Sequence, residues 1–469
     1  MATTRYKPLL RRNIFHLYKY HRFFVMASLV FCFTNCKKSI EKETHANSAE
    51  TNELTAAAAT KPNVIFILAD DIGYEIPGYT GGQSYSTPNI DQLAQNGLQF
   101  SQCHTAPDCS PSRIMLMTGK YNFRNYIEWG TLDTSQYTIA NIFHNAGYKT
   151  CVAGKWQFDG GDASIKKFGF DTYRVFLPFF TVDEAAENAF RYKNPHIYQN
   201  AAYLPDSATN GKYADDMFVS FISKFIDDNA TKPFFVYYPV SLCHAPFCPT
   251  PDDPEFATWD PSLHQSNKQF FPSMVKYMDK EIGKIISKIN SKGLTNKTII
   301  VFAGDNGTPD QITSVFRGET VQGGKGTTTQ WGTHVPLIFS MPGRIVPDIA
   351  DSLIDLTDFL PTFADIARTT IPPYFGTIDG ISFYPALKGR STDNFRQDIF
   401  CHWQAKSISS TKRWVNDRNY KLYDSINGSR FYNILKDTME SSPISNRIIT
   451  AQEKIIRDQM QQVLNQMHN

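Results

Sequence analysis

What the 469-residue sequence lacks narrows its function before anything else does. It has only eight cysteines, at 32, 36, 103, 109, 151, 243, 248 and 401, with no dense even spacing, which excludes a fold held together by disulfides. Cys243 and Cys248 stand close enough to pair, and the sequence leaves that open. Cys103, His104 and Cys109 have no second ligand pair at zinc spacing, which argues against a structural zinc site. There is no excess of one charge. The formal +2 comes from a leader, residues 1–36, with six Lys or Arg and no acid; without it 41 basic residues face 45 acidic ones. A nucleic-acid partner therefore has no electrostatic basis. Residues 62–469 contain no low-complexity tract and no internal repeat, which excludes a solenoid or a largely disordered chain.

What is present begins with that leader. Its basic stretch runs into FFVMASLVFCFT, twelve apolar or small residues from Phe23 to Thr34. This is short of the roughly 20 residues of a membrane span and suits the apolar core of an export signal. Asn35-Cys36-Lys37-Lys38 follows, and the whole resembles a bacterial lipoprotein signal with Cys36 as the lipidated residue. The expectation is an exported protein, in the periplasm or at the outer membrane or cell surface, attached to the membrane by a lipid anchor. Residues 37–61 are polar and rich in Ala and Thr, a composition that suits a flexible tether.

From residue 62 the pattern is strand, helix, strand. NVIFILA and TIIVFA are apolar runs rich in β-branched and aromatic residues, as in strands buried on both faces; CVAG, FFVYYPV and VPLIFS read alike. Between them lie helical stripes: Ile90, Leu93 and Ala94; Met217, Phe218, Phe221 and Phe225; and Val275, Met278, Ile282, Ile285, Ile286 and Ile289. The alternation predicts an α/β fold, a large, mainly parallel sheet flanked by helices. From about 370 the chain turns to short aromatic segments and an amphipathic end, predicting a C-terminal subdomain (370–469) with a small antiparallel sheet and a terminal helix, after a catalytic domain over 62–369.

Two strands end alike, one in Asp70-Asp71 and the other in Asp305-Asn306. Ligands of open α/β sheets sit beyond the carboxyl ends of strands, and four hard oxygen donors there favour Ca2+ or Mg2+ over zinc. Cys109 precedes Pro111 at what looks like a helix start. Free N–H groups and the positive end of the helix dipole would stabilise an anion there and acidify a thiol. Arg113, one turn along, is in reach of the same point.

Here the chain resembles the sulfatase family of the alkaline-phosphatase-like superfamily. The likeness rests on C-x-P-S-R followed by TG (Cys109, Pro111, Ser112, Arg113, Thr118, Gly119), together with ADDIGY, GYKTCVAGKW, HAPF, AGDNG and GGKGTTTQWGTHVP, in the family's order over residues 62–340. It continues more weakly through DLTDFLPTFADIA and DGISFYPALKG. The resemblance implies that a maturation enzyme oxidises Cys109 to Cα-formylglycine, whose hydrate attacks the sulfur of a sulfated carbohydrate or small sulfate ester and later sheds sulfate. It implies metal ligation by Asp70, Asp71, Asp305 and Asn306, and a steadying role for Arg113. It also implies sulfate binding by Lys155 and Lys325, and proton donation to the leaving oxygen by His244.

One position departs from the pattern. The family's GKWH is GKWQ here, so Gln157 stands where a histidine would accept a proton, and an amide is no base near neutral pH. Two alternatives stay open: a phosphate or phosphonate ester hydrolase on the same fold, and an inactive protein that binds sulfated glycans. Residues 160–215 and 248–272 match no motif and are where substrate choice is expected to lie.

Overall fold

The computed structural model describes residues 61–180, 184–390, 395–404 and 411–467. The leader and nearly all of the tether expected in residues 1–61 lie outside the described residues. Residues 61–469 form one compact unit.

Its centre is a ten-stranded sheet. The strands are β1 (Asn63–Ala69), β2 (Gly97–His104), β3 (Lys149–Lys155), β4 (Thr172–Phe176), β5 (Tyr198–Gln199), β6 (Ala202–Tyr203), β7 (Phe234–Pro239), β8 (Thr298–Gly304), β11 (His334–Ser340) and β12 (Asp348–Asp355), with a separate hairpin of β9 (Thr313–Phe316) and β10 (Glu319–Gln322). The order is β12-β2-β11-β8-β1-β7-β3-β4-β5-β6. The central run β8-β1-β7-β3-β4 is parallel throughout. β11 runs antiparallel to both β2 and β8, so β2 points the same way as the central strands. β5 and β6 close the far edge antiparallel.

The alternation within β1 shows why this sheet forms. Val64, Phe66 and Leu68 enter one apolar cluster, while Ile65, Ile67 and Ala69 enter the other, on the opposite face. All six are fully buried, and a buried Val, Leu, Ile or Phe side chain contributes about 1.5–3 kcal/mol. Helices cover both faces: α1 (Pro88–Gln95), α2 (Cys109–Thr118), α3 (Ile139–Asn145), α4 (Ala214–Asn229), α5 (Phe271–Ser291) and α6 (Phe359–Ala367). The α5 stripe is buried as expected except for half-buried Ile286.

On α4 the expected face is corrected. The buried apolar set is Ala214, Phe218, Val219, Ile222, Phe225 and Ile226. Met217 and Phe221 are only half-buried, because the stripe packed on the sheet runs through the β-branched residues, and Phe221 instead lies under the Arg174 guanidinium at 4.8 Å. The six described cysteines are all free and buried, so Cys243 and Cys248 are not paired.

The C-terminal region carries a four-stranded antiparallel sheet, β13 (Ile399–Trp403), β14 (Lys412–Asn416), β15 (Tyr420–Tyr423) and β16 (Phe431–Asn433), and a final helix α7 (Ala451–Gln466). Its Phe400, Trp403, Trp414 and Val415 belong to the same apolar cluster as Phe66 and Leu68. This sheet therefore packs onto the core that covers one face of the large one.

Candidate active site

One edge of the large sheet gathers every strand end that matters. β1, β2, β3, β7 and β8 finish there; Lys155 ends β3, and the others are followed respectively by Asp70-Asp71, Cys109, His244 and Asp305-Asn306. β11 starts from the same edge, and Lys325 precedes it. The parallel pairing of β1 with β8 sets Ala69 opposite Gly304, so the two acidic dipeptides emerge side by side. The Asp71 N–H donates to Asp305 Oδ1 at 3.0 Å and the Asn306 amide to Asp71 Oδ1 at 2.8 Å.

Cys109 is the first residue of α2, after an extended Asp108, and it is 1% exposed. Its thiol donates to Gln157 Oε1 at 3.6 Å. The expectation of an acidified thiol is corrected: burial pushes Cys109 up, and the pull of Lys155 and Lys325 does not reverse it. Arg113, one turn along, is buried and donates from Nε to Asp305 Oδ2 at 2.8 Å, with Nη2 at 3.6 Å from Asp70 Oδ1. Lys155 donates to Asp70 Oδ2 at 2.7 Å, and Lys325 Nζ lies 2.6 Å from Asp71 Oδ1. Just before Lys155, Gly154 takes a positive φ of 132°, and a Cβ there would land on the Pro239 carbonyl at the end of β7. Asp71 and Gln157 also hold left-handed backbone, at φ 59° and 54°. Such strain in non-glycine residues concentrates at functional sites.

The electrostatics suit a cation. Burial works against the Asp70 charge, but Lys155 and Arg113 hold its carboxyl well below the ordinary value. Burial, and the Asp70 charge behind it, push Asp305 up to about 7 despite Arg113. Asp70 Oδ1 and Asn306 Oδ1 are buried without a hydrogen-bond partner. One ligand atom each from Asp70, Cys109 and Asp305 lies within 4.8 Å of the others. Crowded carboxylates with orphaned oxygens fit a hard divalent cation.

His244 follows β7 and is half-buried. Burial, then Arg191 and Lys325, hold its imidazole well below the ordinary value, so the free pocket presents it neutral. Its Nδ1 faces the Ala245 carbonyl at 2.5 Å and must carry the proton, which leaves Nε2 as the basic nitrogen.

The geometry agrees with what comparison finds. The family model named Sulfatase matches residues 62–369. The chain belongs to the sulfatase family. A second model, the C-terminal region of N-sulphoglucosamine sulphohydrolase, matches residues 327–469. Bovine (Bos taurus) arylsulfatase A is 29% identical over 362 residues, covering 71% of this chain and 69% of that protein. Among solved structures, Ps i-CgsB in complex with k-i-k-neocarrahexaose superposes with a TM-score of 0.71 at 24% identity, over 87% of this chain and 92% of that one. The phosphonate monoester hydrolase of Agrobacterium radiobacter superposes at 0.63 with 18% identity, over 86% and 95%. At these identities the structural likenesses speak for the fold. The protein is a sulfatase enzyme, a hydrolase of sulfate esters.

Two groups at this sulfatase site escaped the sequence reading. Arg191 brings Nη1 to 3.4 Å from Asp70 Oδ2 and is 1% exposed. It lies on a strap, residues 188–193, inside the unmatched 160–215 region. In that strap the Tyr192 hydroxyl donates to the His244 carbonyl at 2.6 Å, and Lys193 donates to the carbonyls of Phe256 and Trp259 at 2.7 Å each. The strap thus ties one unmatched region to the other, 248–272. The second group is Trp403, whose indole N–H donates to Asp108 Oδ2 at 3.2 Å from the C-terminal sheet.

Proposed function

We propose that this sulfatase removes sulfate from a sulfated carbohydrate or aryl sulfate, with Cys109 matured to formylglycine and Ca2+ or Mg2+ at Asp70, Asp71, Asp305 and Asn306. The observation that carries the reading is the gathering of Cys109 with Asp70 and Asp305, ligand atoms within 4.8 Å of one another, with Lys155 on Asp70 and Lys325 on Asp71. The bound cation would supply neutralisation of charge at the reacting oxygens, and the matured residue an oxygen nucleophile.

The chain's own side chains do the rest. Arg113 orients Asp305 and the first turn of α2. Lys155 and Lys325 stand where sulfate oxygens gather charge and offset it. His244 serves the leaving oxygen through Nε2; an anionic ester opposite it works against the charges that keep it neutral, and so helps it hold a proton. Gln157 holds the residue 109 side chain in place by a hydrogen bond and supplies no base. The same reading has the maturation enzyme act on Cys109 and a lipid anchor at Cys36 hold the exported protein at the periplasmic or outer-membrane surface.

A carbohydrate substrate is supported by two neighbours. One solved structure, which superposes at a TM-score of 0.69 and 18% identity over 87% of this chain and 97% of that one, holds its substrate D-glucosamine-2-N,6-O-disulfate. Ps i-CgsB holds a neocarrahexaose. Incubating matured protein with a panel of sulfated mono- and oligosaccharides tests this. Desulfated sugar from at least one member is expected. Release from aryl sulfate alone would remove the carbohydrate part of the reading.

A further inference from the structure

Four cations converge on three carboxylates at this sheet edge: Arg113, Lys155, Arg191 and Lys325 around Asp70, Asp71 and Asp305. Three of the cations lie in the motifs that mark the family, and Arg191 does not. Each of the three carboxylates has a close cation without Arg191: Lys155 on Asp70 at 2.7 Å, Lys325 on Asp71 at 2.6 Å and Arg113 on Asp305 at 2.8 Å. A buried cation without a close partner is most stable with an anion beside it.

The guanidinium is held, yet not satisfied. Nη2 donates to Asn188 Oδ1 at 2.6 Å and the group lies over the Phe176 ring at 5.1 Å. Its contact with Asp70 is long, 3.4 Å, on the oxygen that Lys155 already takes at 2.7 Å. Nε is buried with no partner. An arginine serving only to neutralise Asp70 would make the close two-pronged contact that its fork allows. Its place is also fixed from the other side. The next residue, Tyr192, is bonded to the His244 backbone, and after burial Arg191 is the strongest influence on the His244 ring.

We propose that Arg191 binds the anionic group of the substrate, on the side of the pocket that His244 faces. The strap 188–193 is then a wall of the sulfate pocket as well as its support. This rests on the sulfatase reading, and the ligand class is a sulfate monoester or the inorganic sulfate it yields.

Titrating inorganic sulfate calorimetrically into metal-loaded protein carrying Cys109→Ala reads binding without turnover. Adding Arg191→Gln should weaken sulfate about 10- to 100-fold, the loss of one charged hydrogen-bonding group. Arg191→Lys should recover part of that loss, since it keeps the charge without the fork. Equal affinity in all three proteins overturns the proposal. If Arg191→Gln does not fold, the comparison of Arg191→Lys with its parent decides: a several-fold loss supports it, unchanged affinity overturns it. In active protein, Arg191→Gln should raise KM for a sulfate ester more than it lowers kcat. A purely supporting arginine would lower Tm and leave sulfate affinity alone. Sulfate bound equally by parent and variants removes only this inference, whereas no sulfate binding and no ester turnover in any of the proteins removes the sulfatase reading with it.

Discussion

Asp70 is gripped from two sides that differ in kind. Lys155 comes from the end of β3, in the same parallel run as β1, and reaches the carboxylate at 2.7 Å. Arg191 comes from a strap between β4 and β5 and approaches the same oxygen at 3.4 Å. Residues on strand ends are fixed by sheet register, so their spacing in sequence carries their chemistry. Residues on the strap are fixed by side-chain bonds to distant backbone, Tyr192 to His244 and Lys193 to Phe256, and no local pattern announces them. On the proposed reading, the strand ends supply the reacting groups and the strap and the C-terminal sheet bear on binding.

If that division is right, damage at the strand ends should abolish the reaction. Cys109→Ala should lower turnover about 10⁴-fold or more while leaving the melting temperature close to the parent's, because a small buried side chain is shortened without disturbing the charge network. Mass spectrometry of the parent peptide containing Cys109 should show formylglycine; unmodified cysteine in fully active protein would break the comparison at its strongest point. Asp305→Asn should come next, lowering both metal stoichiometry and turnover, the latter about 10²- to 10³-fold, with chelation reproducing the loss in the parent.

Changes on the second side should act on binding. Trp403→Phe removes the indole bond to Asp108 and should cost about 1 kcal/mol, read as a lower melting temperature and a KM raised by less than about tenfold. A loss of turnover as large as that of Cys109→Ala would show that the C-terminal sheet takes part in the reaction itself.

The smallest effect lies behind the strap, at a carboxyl that feels Arg191 and the Ser241 backbone. Burial pushes the Asp215 carboxyl from 3.8 to about 7, so the folded protein keeps a proton that the unfolded chain gives up. This group's stabilising share is complete below pH ~4, falls as the pH rises towards ~7, and changes no further above that. Asp215→Asn should flatten that part of the stability profile, measured by denaturant unfolding at a series of pH values. An unchanged slope would place the titration elsewhere.

Much of the strand-end layout was legible in the sequence. Asp70, Asp71, Asp305 and Asn306 follow apolar runs that become β1 and β8, and Cys109 opens α2 where Pro111 suggested a helix start. The charge state of Cys109 was not legible, because burial outweighs the helix end and the two lysines. β2 was hidden because Gly97 looks like a helix stop and its segment, GLQFSQCH, has only partial alternation; it becomes a strand by pairing with β11 and β12. The α4 face was misjudged by weighting phenylalanine over Val219 and Ile222. Arg191 and Trp403 could not be found, since one is placed by a loop and the other by a sheet nearly three hundred residues away from Asp108 in sequence.

The central claim is that this sheet edge hydrolyses sulfate esters, and the fold is shared with a phosphonate monoester hydrolase. The most direct measurement is side-by-side turnover of an aryl sulfate and the matched aryl phosphonate monoester by metal-loaded, matured protein, with Cys109→Ala as the blank. The account predicts that the sulfate ester has the higher kcat/KM and that Cys109→Ala loses it. A higher kcat/KM for the phosphonate, or sulfate release that survives Cys109→Ala, would contradict it.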